Sequence, residues 1–396
     1  MTIKVREEDF GYVLFRQADR KYFIVEKELG GQSLPSLVRQ YFPEVVSLGE
    51  ITAVPSLNPL KDVSLSSPIG MYLEISQKCN LNCKHCYKPA DISFKDLTLE
   101  QTKTLIDELA SMGVFEIRLC GNEPTTSKHF FEIARYIQKK GLYLGINTNG
   151  FFGEKTRKKL GNLNPDLVVV SVDGTSETHA QIRGKGVYER AIKLLEHLKS
   201  LNVNCRINTV ISKKTLGEII NVTELANNLG CDVSFLPFRP VGKNVRFNKE
   251  NAICADDMKR AVEEVMRQRK KFPLITLLTY FDVLGEIATY HHPIDRFNNP
   301  CPARKNGFIT YGGDFFPCDF LRYAGQLYFC GNVPENGFAE LWENSKKLKA
   351  FQCLEHVKCK RCKFYMKSCY GGCISGSIAS IGNPDDVLCF VDINKE

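Results

Sequence analysis

Three cysteines within eight residues, Cys79-Asn-Leu-Asn-Cys83-Lys-His-Cys86, constrain this chain more than any other feature. They follow directly on Met71-Tyr72-Leu73-Glu74-Ile75-Ser76, a run of apolar and β-favouring residues that reads as a strand. The cysteines therefore occupy a loop at a strand's C-terminal end. Three thiolates on one short loop can hold three irons of a cubane cluster and leave the fourth iron without a local partner. An iron in that state can bind a ligand and pass it an electron. The competing reading is a structural zinc loop. Zinc wants a fourth ligand, and His85 lies inside the loop, where it cannot easily complete a tetrahedron.

Cysteine usage elsewhere supports metal ligation. The chain has 16 cysteines in 396 residues. Three fall near position 80 and nine lie past 300. The N-terminal MTIKVREEDF is charged and has no apolar signal region, so a cytoplasmic, disulfide-poor protein is expected. No run of about 18 apolar residues suggests a membrane span. The net charge of +8 is spread thinly, without the dense basic tract of a nucleic-acid stripe. At 43% hydrophobic and 25% charged, the chain reads as globular, with length for two or three domains.

Residues 1–66 read as a small α+β unit. Gly11 to Phe15 and Lys21 to Val25 predict two strands; Leu34, Leu37, Val38, Tyr41 and Phe42 predict a helix that Pro43 stops. Ser56 to Pro68 reads as a linker. From 67 to 240, strand candidates at 71–76, 115–119, 142–147, 167–172, 205–211 and 232–237 alternate with helix candidates at 98–112, 128–140, 154–160, 187–201 and 215–229. Thr98 and Gln101 suit a capping box, and Leu105, Ile106, Leu109 and Met112 mark the first helix's apolar face. Such alternation implies an α/β fold of parallel strands and crossover helices. Residues 241–300 read as a helical bridge, with helices over Met258 to Arg269 and Leu274 to Thr289 and an exposed turn at His291-His292-Pro293.

The CxxxCxxC loop after a strand resembles the radical S-adenosylmethionine (SAM) family, and the six strands match its open, partial (β/α)6 TIM barrel. The resemblance implies that SAM chelates the open iron and is split by an electron into methionine and a 5′-deoxyadenosyl radical. Chemistry then gathers at the C-terminal strand ends. Cys120-Gly121-Asn122-Glu123-Pro124 resembles the GGEP motif, whose backbone carbonyls bind the SAM amino group; Asn122 replaces the second Gly and tolerates positive φ better than most residues. Asn147-Thr148-Asn149-Gly150 resembles the polar strand end that lines the SAM pocket, with Asn149 its candidate contact. Ser171, in Ser171-Val172-Asp173-Gly174, and Arg183 match residues that contact SAM in relatives. His85 and Leu236 match adenine neighbours. Cys120 reads as a buried small residue, the alternative being a thiol near the radical.

The C-terminal region, 301–396, resembles the SPASM extension through Gly313-x4-Cys318, Cys359-x2-Cys362-x6-Cys369-x3-Cys373 and Cys389. It reads as a loop-rich, Cys-ligated domain. By that resemblance Cys359, Cys362, Cys369 and Cys389 bind an outer auxiliary cluster, and Cys301, Cys318 and Cys373 an inner one. The inner fourth position is left to Cys330, to Cys353 or to an open iron. The cofactors implied are three 4Fe-4S clusters and SAM, with a pair of structural zinc sites as the alternative for this region. Asp319 matches a proposed proton acceptor of sulfatase-maturing relatives, or else caps a turn. The N-terminal unit resembles, weakly, a winged-helix leader-peptide recognition element, or else is a cap on the barrel. The implied activity is hydrogen abstraction from a ribosomally made precursor peptide, with a reductant such as flavodoxin or ferredoxin. The product is a crosslink, an epimer or a backbone change. Alternatives are an anaerobic sulfatase-maturing enzyme, a haem-pathway decarboxylase and an iron–sulfur electron carrier.

Overall fold

Side chains alternate across a strand, so a sheet with two apolar faces must be covered on both. The N-terminal sheet meets that condition in the computed structural model, which describes residues 2–18, 20–26, 33–43, 51–54, 65–88, 95–242, 244–272, 275–277, 302–354, 357–363, 365 and 371–390. Strands β1 (Ile3–Glu7), β2 (Gly11–Arg16) and β3 (Tyr22–Glu26), helix α1 (Leu34–Tyr41) and strand β4 (Ile51–Val54) come first. The strands pair in the order β3-β2-β1-β4, with β4 parallel to β1 and the other pairs antiparallel. Ile3, Val5, Leu14 and Val25 pack with Leu37, Val38 and Phe42 of the α1 region. Val13, Phe15 and Ile24 on the other face pack with Phe115, Tyr143, Leu167 and Val169. Sequence patterning gave β2, β3 and α1 but missed β1 and β4. Lys4, Arg6 and Glu7 obscure the apolar alternation of β1.

The second sheet is built from β5 (Gly70–Glu74), α2 (Leu99–Ser111), β6 (Glu116–Cys120), α3 (Phe130–Lys139), β7 (Tyr143–Thr148), α4 (Glu154–Leu163), β8 (Leu167–Ser171), α5 (Ser176–Arg183), α6 (Val187–Ser200), β9 (Cys205–Ile211), α7 (Ile219–Leu229) and β10 (Asp232–Pro237). Strands β5 to β10 lie in sequence order and are all parallel. The expected six-stranded partial barrel is present. The capping box at Thr98 forms as read: Gln101 N donates to Thr98 Oγ1 at 3.2 Å, and Thr98 N to Gln101 Oε1 at 2.9 Å. Helix α5 was not anticipated, because only His179 and Ile182 of its eight residues are buried and no apolar period shows.

After the barrel come α8 (Val245–Asn251), α9 (Ala255–Arg269) and β11 (Ile275–Leu277). Strand β11 pairs in parallel with β10, which corrects the start of the helix expected over Leu274 to Thr289: a β-favouring triplet extends the sheet at 275–277, and the rest of that expectation lies outside the described residues. His291-His292-Pro293 lies outside the described residues. The C-terminal region adds β12 (Asn306–Ile309), β13 (Asp314–Phe316), β14 (Gly331–Asn332), α10 (Val333–Asn336), α11 (Phe338–Asn344), α12 (Lys346–Gln352) and α13 (Ile374–Ile381). Strand β12 pairs in parallel with β5 and is followed by β13 and β14, so the sheet has ten strands among the described residues. Among the described residues no helix is long and apolar enough to cross a membrane.

The barrel strands sort their residues by face. Leu73, Ile117, Leu119, Leu144, Ile146, Val168, Val170 and Ile207 join Leu105, Leu109, Ile133 and Leu194 in the main apolar core under the helices. The alternate positions include Tyr72, Glu74, Glu116, Arg118, Asn147 and Asn208. The interior is therefore polar and needs counter-charges. At the N-terminal strand ends Glu116 receives Arg20 Nε at 2.9 Å and Arg118 Nη2 at 2.8 Å. Burial pushes Glu116 upward, but the two arginines outweigh it and hold the carboxyl below its usual range. Because Arg20 comes from the N-terminal unit, that unit closes the lower end of the barrel, with Phe15 stacked on Phe115 at 5.0 Å between centroids.

The expected linker ends in fixed structure. Leu65, Ser66, Ser67 and Pro68 are buried. Trp342 Nε1 donates to Leu65 O at 3.0 Å. The fully buried Arg6 donates to Glu8 Oε1 at 2.8 Å, Ser67 O at 2.8 Å, Pro68 O at 2.9 Å and Gly113 O at 3.1 Å. Removing one member of a buried pair strands the other. Arg6→Ala should therefore lower the unfolding free energy by about 3–5 kcal/mol in urea titration. A loss below about 1 kcal/mol, the range of surface substitutions, would contradict this clamp.

Candidate active site

The C-terminal ends of the barrel strands form one rim, and the three-cysteine loop leaves it from β5. Backbone and amide groups from several strand exits hold the loop. Asn122 Nδ2 donates to Gln77 O at 2.6 Å, and Glu123 N to Lys78 O at 3.1 Å, both from the exit of β6. Asn149, after β7, donates through Nδ2 to Asn80 Oδ1 at 2.9 Å and lies 3.9 Å from Cys79 Sγ. Lys84 N donates to Ile182 O of α5 at 2.9 Å.

The turn after β6 explains the Asn122 substitution. The positive φ falls at Gly121, at +113°, where an added Cβ would meet Glu74 Cγ at 2.8 Å. Asn122 is not among the residues with positive φ, so a side chain is tolerated there and is used to hold the loop. Glu123 is buried, and its carboxylate accepts from Thr148 Oγ1 at 2.9 Å, Asn149 N at 2.8 Å and Thr125 N at 3.2 Å. It thereby ties the exit of β6 to that of β7. Burial raises its pKa and outweighs these hydrogen bonds.

The three thiols are gathered closely enough that each of Cys79 and Cys83 is raised by its neighbours, after the larger effect of burial; Cys83 is pushed up to about 11. Iron supplies the positive charge that such thiolates lack, so the donor set fits a cluster. Among the described residues no three Cys, His, Asp or Glu side chains converge on one mononuclear ion position, whereas a cubane takes each thiolate on a separate iron.

Beside the thiols, Asp173 is fully buried and accepts from Arg183 Nε at 2.6 Å and Val210 N at 3.0 Å. His85 Nε2 lies 3.0 Å from the same carboxylate. Burial opposes the charge of Asp173, but Arg183 and His85 hold its pKa far below the usual range. Arg183 is thus fixed through Nε, with Nη1 4.0 Å from Cys83 Sγ and Nη2 3.4 Å from His85 Nε2. His85 Nδ1 is buried without a partner among the described residues, an atom suited to a polar ligand. The Asp173 backbone N donates to His179 Nδ1 at 3.0 Å, and burial followed by Arg183 lowers His179 to about 4. Ser171 ends β8 and Leu236 lies on β10, both half-buried.

A second group of charges joins the cysteine loop to the C-terminal region. Glu74 Oε1 accepts from Lys88 Nζ at 2.5 Å and from Arg322 Nη2 at 2.8 Å. Tyr87 Oη donates to Asp319 Oδ2 at 2.5 Å, and Lys88 Nζ lies 3.9 Å from the same oxygen. Burial and then Asp319 raise the Tyr87 pKa well above its ordinary value. Asp319 also accepts from Cys318 Sγ at 3.4 Å. Cys120 lies in this region, buried with Phe308 and Phe316, and burial pushes its thiol up to about 12. That favours the packing reading of Cys120. Sequence reasoning missed Glu74, Tyr87, Lys88 and Arg322. The available signal was that Tyr87 and Lys88 follow Cys86 directly and that Glu74 ends the preceding strand.

The C-terminal cysteines differ in burial. Cys318, Cys359, Cys362 and Cys389 are half-buried and Cys373 is buried; Cys301 and Cys369 lie outside the described residues. Cys373 Sγ accepts from Gly376 N at 3.3 Å. Cys330 belongs to the main apolar core with Val333 and Leu341, and Cys353 is exposed after α12.

A partial parallel barrel with thiols, a carboxylate–guanidinium pair and a glycine turn on one rim defines an enzyme scaffold whose chemistry is mounted on the three-thiol loop. The family model of the Radical SAM superfamily matches residues 73–226, and that of the SPASM iron-sulfur cluster-binding domain matches 301–363. The AdoMet-dependent heme synthase of Methanosarcina barkeri is 30% identical over 78% of this chain and 92% of its own. The mycofactocin maturase MftC of Mycobacterium ulcerans is 26% identical over 82% of this chain and 88% of its own. Streptococcus suis SuiB bound to its precursor peptide SuiA superposes with a TM-score of 0.75 over 98% of both chains at 18% identity, a likeness of fold. The chain belongs to the radical SAM superfamily and carries the SPASM extension. Its cofactors are 4Fe-4S clusters and SAM.

Gly242, past β10, presses on the cysteine loop: an added Cβ would lie 2.6 Å from Tyr87 Cα and 2.7 Å from Cys86 O. With φ at +94° the position is also strained for any other residue. Gly242→Ala should displace the third cysteine and reduce iron retained at this loop in anaerobically reconstituted protein. Full iron with an unchanged electron paramagnetic resonance (EPR) response to SAM would refute the contact.

Proposed function

We propose that the protein modifies a ribosomally made precursor peptide by abstracting a hydrogen atom from an unactivated carbon. When bound, the loop cluster and SAM supply the abstracting radical. Cys79, Cys83 and Cys86 would hold that cluster. The backbone at Gly121 to Glu123, Asn149, Ser171, Arg183, His85 and Leu236 would line the SAM site. Two further 4Fe-4S clusters would sit in the C-terminal region, on Cys359, Cys362, Cys369 and Cys389 and on Cys301, Cys318 and Cys373. A flavodoxin or ferredoxin is the expected electron source, which suits a cytoplasmic setting.

The observation that carries the peptide reading is the N-terminal unit. It is locked onto the barrel through Arg6 and Arg20, and β3, at the end of its sheet, pairs on one side only among the described residues. An extended leader can add to such an edge by main-chain hydrogen bonds. The fold of Streptococcus suis SuiB, solved bound to the precursor peptide SuiA, follows 98% of this chain, that unit included. The haem-pathway reading has its own support in the 30% identity to an AdoMet-dependent heme synthase. The two separate in one assay. Deoxyadenosine formation should rise with a precursor peptide encoded beside the gene and not with iron coproporphyrin, and the reverse would favour the haem pathway.

We propose that Asp319 accepts a proton from the oxidised substrate. Tyr87 donates to one of its oxygens, Lys88 lies near the same oxygen, and the preceding residue, Cys318, is one of the cysteines proposed above to hold the inner cluster. Lys88 and Tyr87 would stabilise the carboxylate until transfer. Asp319→Asn should leave deoxyadenosine formation intact while lowering modified peptide by about 10²- to 10⁴-fold, the scale of general-base catalysis. Unchanged product would leave Asp319 as a turn cap.

A further inference from the structure

Arg239 and Asp386 are almost wholly buried, at 4% and 1% side-chain exposure, and form a two-point pair: Nη1 to Oδ1 at 2.7 Å and Nη2 to Oδ2 at 2.6 Å. Arg239 stands two residues past β10 and three before Gly242, the glycine pressed against Cys86. The carboxylate does more than pair. Its Oδ2 accepts from the Cys373 backbone N at 2.7 Å and its Oδ1 from Leu388 N at 3.0 Å. The Asp386 carbonyl accepts from Cys389 N at 3.2 Å. Packing leaves the pair no latitude: a Cβ at Gly372 would lie 2.1 Å from Asp386 Cβ, and one at Gly376 would lie 2.9 Å from Arg239 Nε.

We infer that Arg239 and Asp386 are positioning residues that set both auxiliary-cluster ligand segments, at Cys373 and at Cys389, against the barrel rim that carries the SAM-cluster loop. One carboxylate accepts from the Cys373 backbone and from Leu388, the residue before Cys389, and one guanidinium fixes that carboxylate to the exit of β10. The two cysteines fall to different clusters in the proposed ligation, so the pair would register the inner and outer clusters to each other and to the third. A short covalent stretch, Arg239 to Gly242, completes the path to Cys86. The inference rests on the two-auxiliary-cluster reading.

The test uses the full chain, reconstituted without oxygen. The double variant Arg239→Met/Asp386→Leu removes both charges together, which spares the fold an unpaired buried ion. It also removes the two acceptors for Cys373 N and Leu388 N. Iron should fall about threefold, from about twelve to about four atoms per chain. The SAM-perturbed EPR signal of the loop cluster should persist, and the circular dichroism spectrum should stay unchanged. Arg239→Lys, which keeps Asp386 and its backbone hydrogen bonds, should retain the auxiliary iron and EPR signals. Wild-type iron and auxiliary signals in the double variant would overturn the inference. So would loss of all iron there, the mark of a general staple, or loss of auxiliary iron in Arg239→Lys. Wild-type protein holding only about four irons would instead overturn the auxiliary-cluster reading, and the inference with it.

Discussion

A loop of eight residues bearing three thiols has too few internal hydrogen bonds to fix its own shape, so its shape comes from outside. Here the exits of β6 and β7, helix α5 and the glycine after β10 all press on or bond to residues 77–87. The parallel barrel makes this possible because it delivers several strand ends to one rim. The remaining features of the site depend on that arrangement: the glycine turn at 121, the Glu123 clamp and the Arg183–Asp173 pair each hold an adjacent strand end in register with the loop.

A barrel open to a cofactor at its rim cannot be filled with apolar side chains throughout, and this one carries buried charge instead. Every buried carboxylate named above has a cation or a set of donors. Glu116 has Arg20 and Arg118, Glu74 has Lys88 and Arg322, Asp173 has Arg183, and Asp386 has Arg239. Such pairs add little net stability against apolar residues of the same volume, but breaking one is costly, so they favour a single arrangement. Several join separate units. Arg20 brings the N-terminal sheet to the barrel, while Arg322 and Asp386 bring the C-terminal region to it.

Local pattern was enough for the barrel. Strands β5 to β10 begin and end within a residue or two of where alternation and turn residues put them, because each carries enough apolar residues on its outward face. The cysteine spacings and the glycine turn were equally local. What the sequence did not show was partnership across long separations. Tyr87 meets Asp319 and Glu74 meets Arg322 over more than 200 residues, and Arg239 meets Asp386 over 147. Nothing near any of these residues announces the partner. Side-chain direction was hidden too. Glu123 turns into the structure as a clamp, and Asn122 bonds the loop from a backbone that has no positive φ. Strand β1 escaped because a charge breaks its apolar alternation at a core position: Arg6 is as buried as any leucine in the core.

The central claim is that Cys79, Cys83 and Cys86 hold a cluster whose open iron takes SAM and reduces it. The most direct measurement is the yield of 5′-deoxyadenosine from SAM when the anaerobically reconstituted protein is reduced with dithionite. The account predicts deoxyadenosine and methionine in equal amounts from the intact protein and none from Cys83→Ala. Intact protein with a filled loop cluster that binds SAM without cleaving it would contradict the account.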